Sequence, residues 1–174
     1  PILGGRLPLP LAVDGRVWNA LALSEHEAAW GVPGLATMRW ITTLADRTGL
    51  RPVEAAMLAL AAARLGMNEE AERFARQAEA RPLEDVATAS FLLQLAALRG
   101  RDPSAALRFV LGHRVGTGWR TTLEGAFAIL GLAAIVEHQV PADYLPPGSV
   151  TVEVNGVVAR TLSLDRMGSF WRSS

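Results

Sequence analysis

The sequence predicts a mainly α protein of antiparallel helical hairpins, with a small β-hairpin or sheet region formed by the chain ends. Three observations predict it. Alanine- and leucine-rich stretches recur between residues 35 and 138, separated by glycine and proline stops, which is a helix pattern with its punctuation. Two of those stops, Gly66 and Gly100, lie 34 positions apart, near the period at which helical-hairpin arrays bury each unit on the next. Close to the C-terminus two β-branched runs flank Asn155-Gly156, the dipeptide best suited to a two-residue hairpin turn, so helix gives way to sheet.

Taken in order, residues 1–23 read as an extended or β leading segment. The prolines in Leu7-Pro8-Leu9-Pro10-Leu11 lack amide donors and restrict the residues before them, which leaves only an edge position. Asp14-Gly15 separates Leu11-Ala12-Val13 from Val17 to Leu23, where Val17, Asn19 and Leu21 alternate against Trp18, Ala20 and Ala22, and this predicts a hairpin.

The helical domain is expected over 24–140. Ser24 and Glu27 have capping-box spacing and would open a short helix to about Trp30, ended by Gly31-Val32-Pro33-Gly34. Helices follow from Leu35 to Arg47 and from Val53 to Leu65, the second so rich in alanine that neighbours can approach closely. After Gly66, Asn68 to Glu79 is amphipathic, with Ala71, Phe74, Ala75 and Ala78 turned inward. Leu83 to Arg99 repeats the pattern, lined by Val86, Ala89, Leu93, Ala96 and Ala97. Gly100 stops it, and Asp102-Pro103 opens a partner helix running to about His113.

Gly116-Thr117-Gly118 leads into the last helix, opened by Thr121 and Glu124 at capping-box spacing. From Ala126 to Val136 no residue is polar, so Thr122 to Glu137 is expected to be the central, most buried helix, and it is too short for a membrane span of roughly 20 apolar residues. Residues 141–174 read as a linker and a β-hairpin that starts a β-domain. Its two-residue turn would set Val154 opposite Val157 and Val152 opposite Ala159, with the leading segment as the sheet's third partner.

Composition narrows the chemistry. A chain of 174 residues holds one sizeable core, and a net charge of +0 supplies no field for nucleic acid or an anionic membrane. Every basic residue is arginine, a compositional bias. With Cys 0 there is no disulfide, thiol nucleophile, thiolate metal site or thioester. The absence of an initiator Met and of a signal peptide suggests a piece of something longer.

His26, His113 and His138 sit near predicted helix ends, none at i,i+4 spacing with another, so no metal or catalytic site is assigned to them. Ser24, Ser90 and Ser104 lack a nucleophile-elbow context. The acid pairs Glu69-Glu70 and Glu84-Asp85 lie in predicted first turns, where the helix dipole accounts for them. Trp18, Trp30, Trp40, Trp119 and Trp171 read as core anchors, Trp119 covering the mouth of the last helix. No catalytic, cofactor-binding or metal-binding residue is assigned, and no cofactor is expected.

Thr121-Thr122-Leu123-Glu124-Gly125-Ala126-Phe127-Ala128-Ile129-Leu130-Gly131-Leu132-Ala133 resembles the Thr-Thr-Gln-Glu-x-Ala-Trp-Ala-Leu-Leu-Ala-Leu-Ala helix near the end of the α/α-toroid domain of bacterial α-2-macroglobulin-like proteins. Asp85 to Leu93 is similar to that family's Asp-x-Ala-x-x-x-x-Leu-Leu segment, and Val154-Asn155-Gly156 to its following strand, so the likeness covers about Val53 to Leu164. Leu123 stands where the family has Gln, Phe127 where it has Trp, and the thioester motif Cys-x-Glu-Gln is missing.

The resemblance implies an α/α-toroid architecture in a periplasmic or extracellular, protease-trapping parent. Within it this chain would be a non-enzymatic structural segment of an endopeptidase inhibitor, meeting proteases only through the parent and touching the parent's other domains. It would make no contact with nucleic acid or membrane. The alternative is a tetratricopeptide-like helical-repeat adaptor binding a peptide or protein in a concave groove. A third reading, an α/α-toroid enzyme such as a terpene cyclase or prenyltransferase, would need an Asp-rich cluster or a zinc site, and neither is visible.

Overall fold

The computed structural model describes residues 13–31, 34–45, 49–139, 149–154 and 157–163. Seven helices pack against each other: α1 (Gly15–Trp30), α2 (Leu35–Ala45), α3 (Pro52–Arg64), α4 (Asn68–Glu79), α5 (Val86–Arg99), α6 (Ser104–Gly112) and α7 (Thr122–Gln139). Two rows result. α1, α3, α5 and α7 form one, each packed on the next; α2, α4 and α6 form the other, packed on α1, α3 and α5 respectively. Short connections make α3 with α4, and α5 with α6, antiparallel hairpins.

The core centres on α3 and α5 of the first row, with Ile41, Phe74 and Val110 of the second row packed into it. Val53 to Ala62 of α3 are all buried, and eleven residues of α5 are buried, so these two helices are covered along most of their length. Alanine makes this possible: Ala55, Ala56, Ala59, Ala61 and Ala62 are all 0% exposed and let neighbouring backbones come close. α4 is amphipathic as expected, with Ala71, Phe74, Ala75 and Ala78 its buried residues.

Gly66 and Gly100 occupy equivalent places in the two hairpins. Both have left-handed backbone, φ 73° and 62°, which only glycine adopts without strain, so the same turn is built twice. Arg99 and Arg101 flank the second turn and tie it to α4: Arg99 Nη2 donates to Asn68 Oδ1 at 2.8 Å, and Arg101 pairs with Glu72.

Three expectations about the helices are corrected. Residues 15–23 are not a β-hairpin: they are the first half of α1, so the helical body begins at Gly15 rather than at residue 24. The period decides the matter. Val17, Ala20, Leu21 and Ser24 recur at three and four and are all buried, while Asp14, read as a turn residue, is the N-cap that accepts the Arg16 amide at 2.9 Å. Residues 1–12 lie outside the described residues.

Ser24, secondly, opens no helix. It sits fully buried within α1, its hydroxyl donating to the Leu21 carbonyl at 2.7 Å, and Glu27 reaches across to Thr37 at 2.7 Å.

The third correction concerns α7. It ends the first row instead of occupying its middle, and only Phe127, Ala128 and Gly131 are buried, while Ile129 is 60% and Leu130 55% exposed. α5 takes the central place.

β1 (Ser149–Val154) and β2 (Val157–Ser163) form an antiparallel pair. Val154 faces Val157 as expected, but the register shifts after Val152/Glu153, so Val152 stands opposite Arg160 and not Ala159. The shift sets Val150 opposite Leu162 and Thr151 opposite Thr161, an apolar and a polar match that the unbulged register would have broken. Among the described residues the sheet has these two strands alone, and helix α1 replaces the third strand expected from residues 15–23.

Candidate functional site

Several charged groups of the helical body cap helices or join them. Glu54, the third residue of α3, is only 8% exposed and joins three partners. Its Oε2 accepts the Arg51 amide at 3.0 Å, and its Oε1 accepts the Arg51 guanidinium at 3.0 Å and the Asp14 amide at 3.1 Å. Burial pushes this carboxyl up, but the Arg51 guanidinium and the two amides outweigh it and hold the group below the usual carboxylate range. Glu54 thereby locks the start of α1 to the start of α3.

Asp85 caps α5, accepting the Thr88 amide at 2.7 Å and the Thr88 hydroxyl at 2.7 Å. It precedes the helix instead of lying in its first turn, whereas Glu69 and Glu70 do lie in the first turn of α4. Asp102 accepts the Ser104 amide at 3.0 Å and the Ser104 hydroxyl. These bonds hold its carboxyl below the ordinary range. Thr121 Oγ1 accepts the Glu124 amide at 3.1 Å, the expected cap of α7; the Glu124 carboxylate turns to Arg120 at 3.2 Å instead of closing the box.

The histidines stay apart. His113 Nδ1 lies 2.8 Å from the Phe109 carbonyl and its ring stacks on Phe109, His26 lies beside Trp30, and His138 is exposed near the end of α7. Among the described residues no group of three or more His, Asp or Glu side chains is placed to hold a metal ion. Ser90 is fully buried, with its hydroxyl donating to the Val86 carbonyl at 2.6 Å.

The tryptophans divide. Trp18 joins an aromatic cluster with Phe91 and Phe127, stacked on Phe127 at 6.1 Å and edge-on to Phe91 at 6.4 Å, which fastens α1, α5 and α7 together. Trp119 donates from Nε1 to the Val110 carbonyl at 3.0 Å and lies against the first turn of α7, as expected of a cover for that end. Trp40 is half-buried against the core, but Trp30 is 73% exposed and is no core anchor; Trp171 lies outside the described residues.

A concavity lies where α4, α5 and α6 meet. Leu92, Leu95, Ala96 and Ala106 line its apolar part, and Glu79, Arg81, Arg101 and Asp102 lie around it, enclosing about 320 Å³. With two arginines set against two acids, this cleft favours an apolar side chain over an ion.

Sequence reasoning passed over four residues that organise the helical body. Glu54, Arg99 and Gln139 join elements 31 to 43 positions apart in sequence, and nothing local announces such a bond. Gln139 donates from Nε2 to the Ala96 carbonyl at 3.1 Å and the Arg101 carbonyl at 3.0 Å, fixing the end of α7 to the end of α5. Gly131 is the fourth: a Cβ there would lie 3.0 Å from the Ser90 carbonyl oxygen, so α7 crosses α5 at backbone contact.

No family model, curated protein or solved structure matches the chain. No helix among the described residues is long and apolar enough to cross a membrane.

Proposed function

We propose that the chain is a non-enzymatic structural segment of a macroglobulin-like endopeptidase inhibitor, α/α-toroid in type and working in the periplasm or outside the cell. The observation that carries this reading is the order of parts. Alanine-rich helical hairpins in two rows lead to a threonine-capped helix, α7, and then to a strand ending at Val154 beside Asn155-Gly156. Phe127, which stands where the resembling family has Trp, is 6% exposed in the aromatic cluster and keeps an aromatic anchor at that place.

In this role the segment supplies rigid scaffold to its parent, and proteases are met by the assembled parent. The test is to read the flanking open reading frame and to incubate the expressed parent with an endopeptidase. β-sandwich domains in the frame, with protease co-eluting in size-exclusion chromatography, would support the reading. A frame of helical repeats alone, with no protease retained, would sink it.

A second reading, a tetratricopeptide-like adaptor, is favoured by the Gly66 and Gly100 turns and by the apolar cleft between α4, α5 and α6. A peptide array probed with the full chain separates the two. Binding that is lost in Leu92→Glu while the helical circular dichroism stays unchanged would speak for the adaptor.

A further inference from the structure

α7 closes its row, and its outward side is uncovered among the described residues. Thr122, Ala126, Ile129, Leu130, Ala133 and Glu137 recur at spacings of three and four, so they form one stripe, and all are exposed. Ile129 at 60% and Leu130 at 55% exposure, flanked by alanine on both sides, make a continuous apolar patch instead of a scatter of single residues.

The alanines of this stripe are placed symmetrically. About the midpoint between Ile129 and Leu130, Ala126 mirrors Ala133 and Thr122 mirrors Glu137. A two-fold contact is isologous, so each residue of an antiparallel copy would face its mirror position. Alanine would then meet alanine where the backbones approach most closely, and Ile129 and Leu130 would pack across the axis on their counterparts.

The polar ends are complementary too. The Arg120 side chain, 63% exposed, lies just before α7, and Glu137 lies near its other end. Antiparallel copies bring each Arg120 towards the other's Glu137 and set the two helix dipoles in opposition. The Arg120 pair with Glu124 is a surface contact and holds it only weakly against such an exchange.

We propose that the outward face of α7 is the seat of a two-fold contact with a second copy of this chain. This rests on the α7 stripe alone and is independent of the macroglobulin reading. Sedimentation equilibrium of the full chain should show a monomer–dimer equilibrium. Leu130→Arg should weaken it at least tenfold while leaving the helical circular dichroism and the melting midpoint of the monomer unchanged, because the position is outside the core.

The cysteine-free chain allows the direction to be tested directly. Ala126→Cys mixed with Ala133→Cys under mild oxidation should give the mixed disulfide dimer in excess over either homodimer. A chain that stays monomeric at every concentration, a dimer indifferent to Leu130→Arg, or homodisulfides alone would overturn the proposal.

Discussion

α5 and α7 belong to the same row and touch along their lengths, yet eleven of the 14 residues of α5 are buried against three of the 18 in α7. The apolar character runs the other way: α7 has no polar residue from Ala126 to Val136, while α5 carries Thr88, Ser90 and Gln94. Composition decides whether a helix can be buried; its number of neighbours decides whether it is. α5 has α3, α6 and α7 around it, and its hydroxyls are satisfied within the helix or by its cap, so they cost little. α7 packs on α5 and meets Trp18 of α1 and Trp119 near its start, and its outward side stays open among the described residues.

The comparison can be broken first in the middle of α5. Leu93 is fully buried, so Leu93→Ala should cost about 2–5 kcal/mol of unfolding free energy, read by urea titration. A smaller loss would mean that α5 is less enclosed than its surroundings imply. At the crossing with α7, Gly131→Ala adds a methyl group against the Ser90 backbone, which cannot yield as a side chain tip could. Overpacking of about 1–3 kcal/mol then outweighs the helix-propensity gain of about 1 kcal/mol, and the variant should melt lower than the parent. A higher melting temperature would move the two helices apart.

Further along the same row, Glu54→Gln should cost about 1–3 kcal/mol at neutral pH, because the amide loses the charge that faces Arg51 and sets an NH2 donor where one carboxylate oxygen accepts. The pH dependence follows from the lowered carboxyl. A group whose folded value lies below its unfolded one contributes fully above the ordinary range, near about pH 4.3, and loses that contribution as pH falls through the lowered value. The acid limb of the stability curve should therefore be shallower in Glu54→Gln. An unchanged limb would mean that Glu54 is not held as described.

Legibility in the sequence followed the range of each signal. α4 and its four inward residues were readable because one amphipathic period with glycine at its start states both place and face. The Thr121 cap acts within three residues and was readable; Asp85 has the same reach but was taken for a first-turn acid because α5 starts at Val86 and not at Leu83, and Asp102, expected to be the cap of α6, bonds Ser104 while Pro103 takes the N-cap place. α1 was misread because alternation over Val17 to Leu23 and the Asp14-Gly15 pair mimic a hairpin, and only the burial of Ala20 and Ser24 separates the two periods. α7 was misplaced because an apolar run carries no information about how many neighbours will come. The long-range joints at Glu54, Arg99 and Gln139, like the cleft between α4, α5 and α6, depend on which helices meet, and no local pattern encodes that.

The contrast between the two helices is tested most directly by setting Leu130→Ala beside Leu93→Ala in urea unfolding, at a protein concentration low enough to keep the chain monomeric. Leu130 is 55% exposed and leaves no cavity, so its loss should stay within about 0.5 kcal/mol, while the Leu93 variant falls by several times that amount. Equal losses of about 2 kcal/mol or more at both positions would contradict the placement of α7 at the open end of its row.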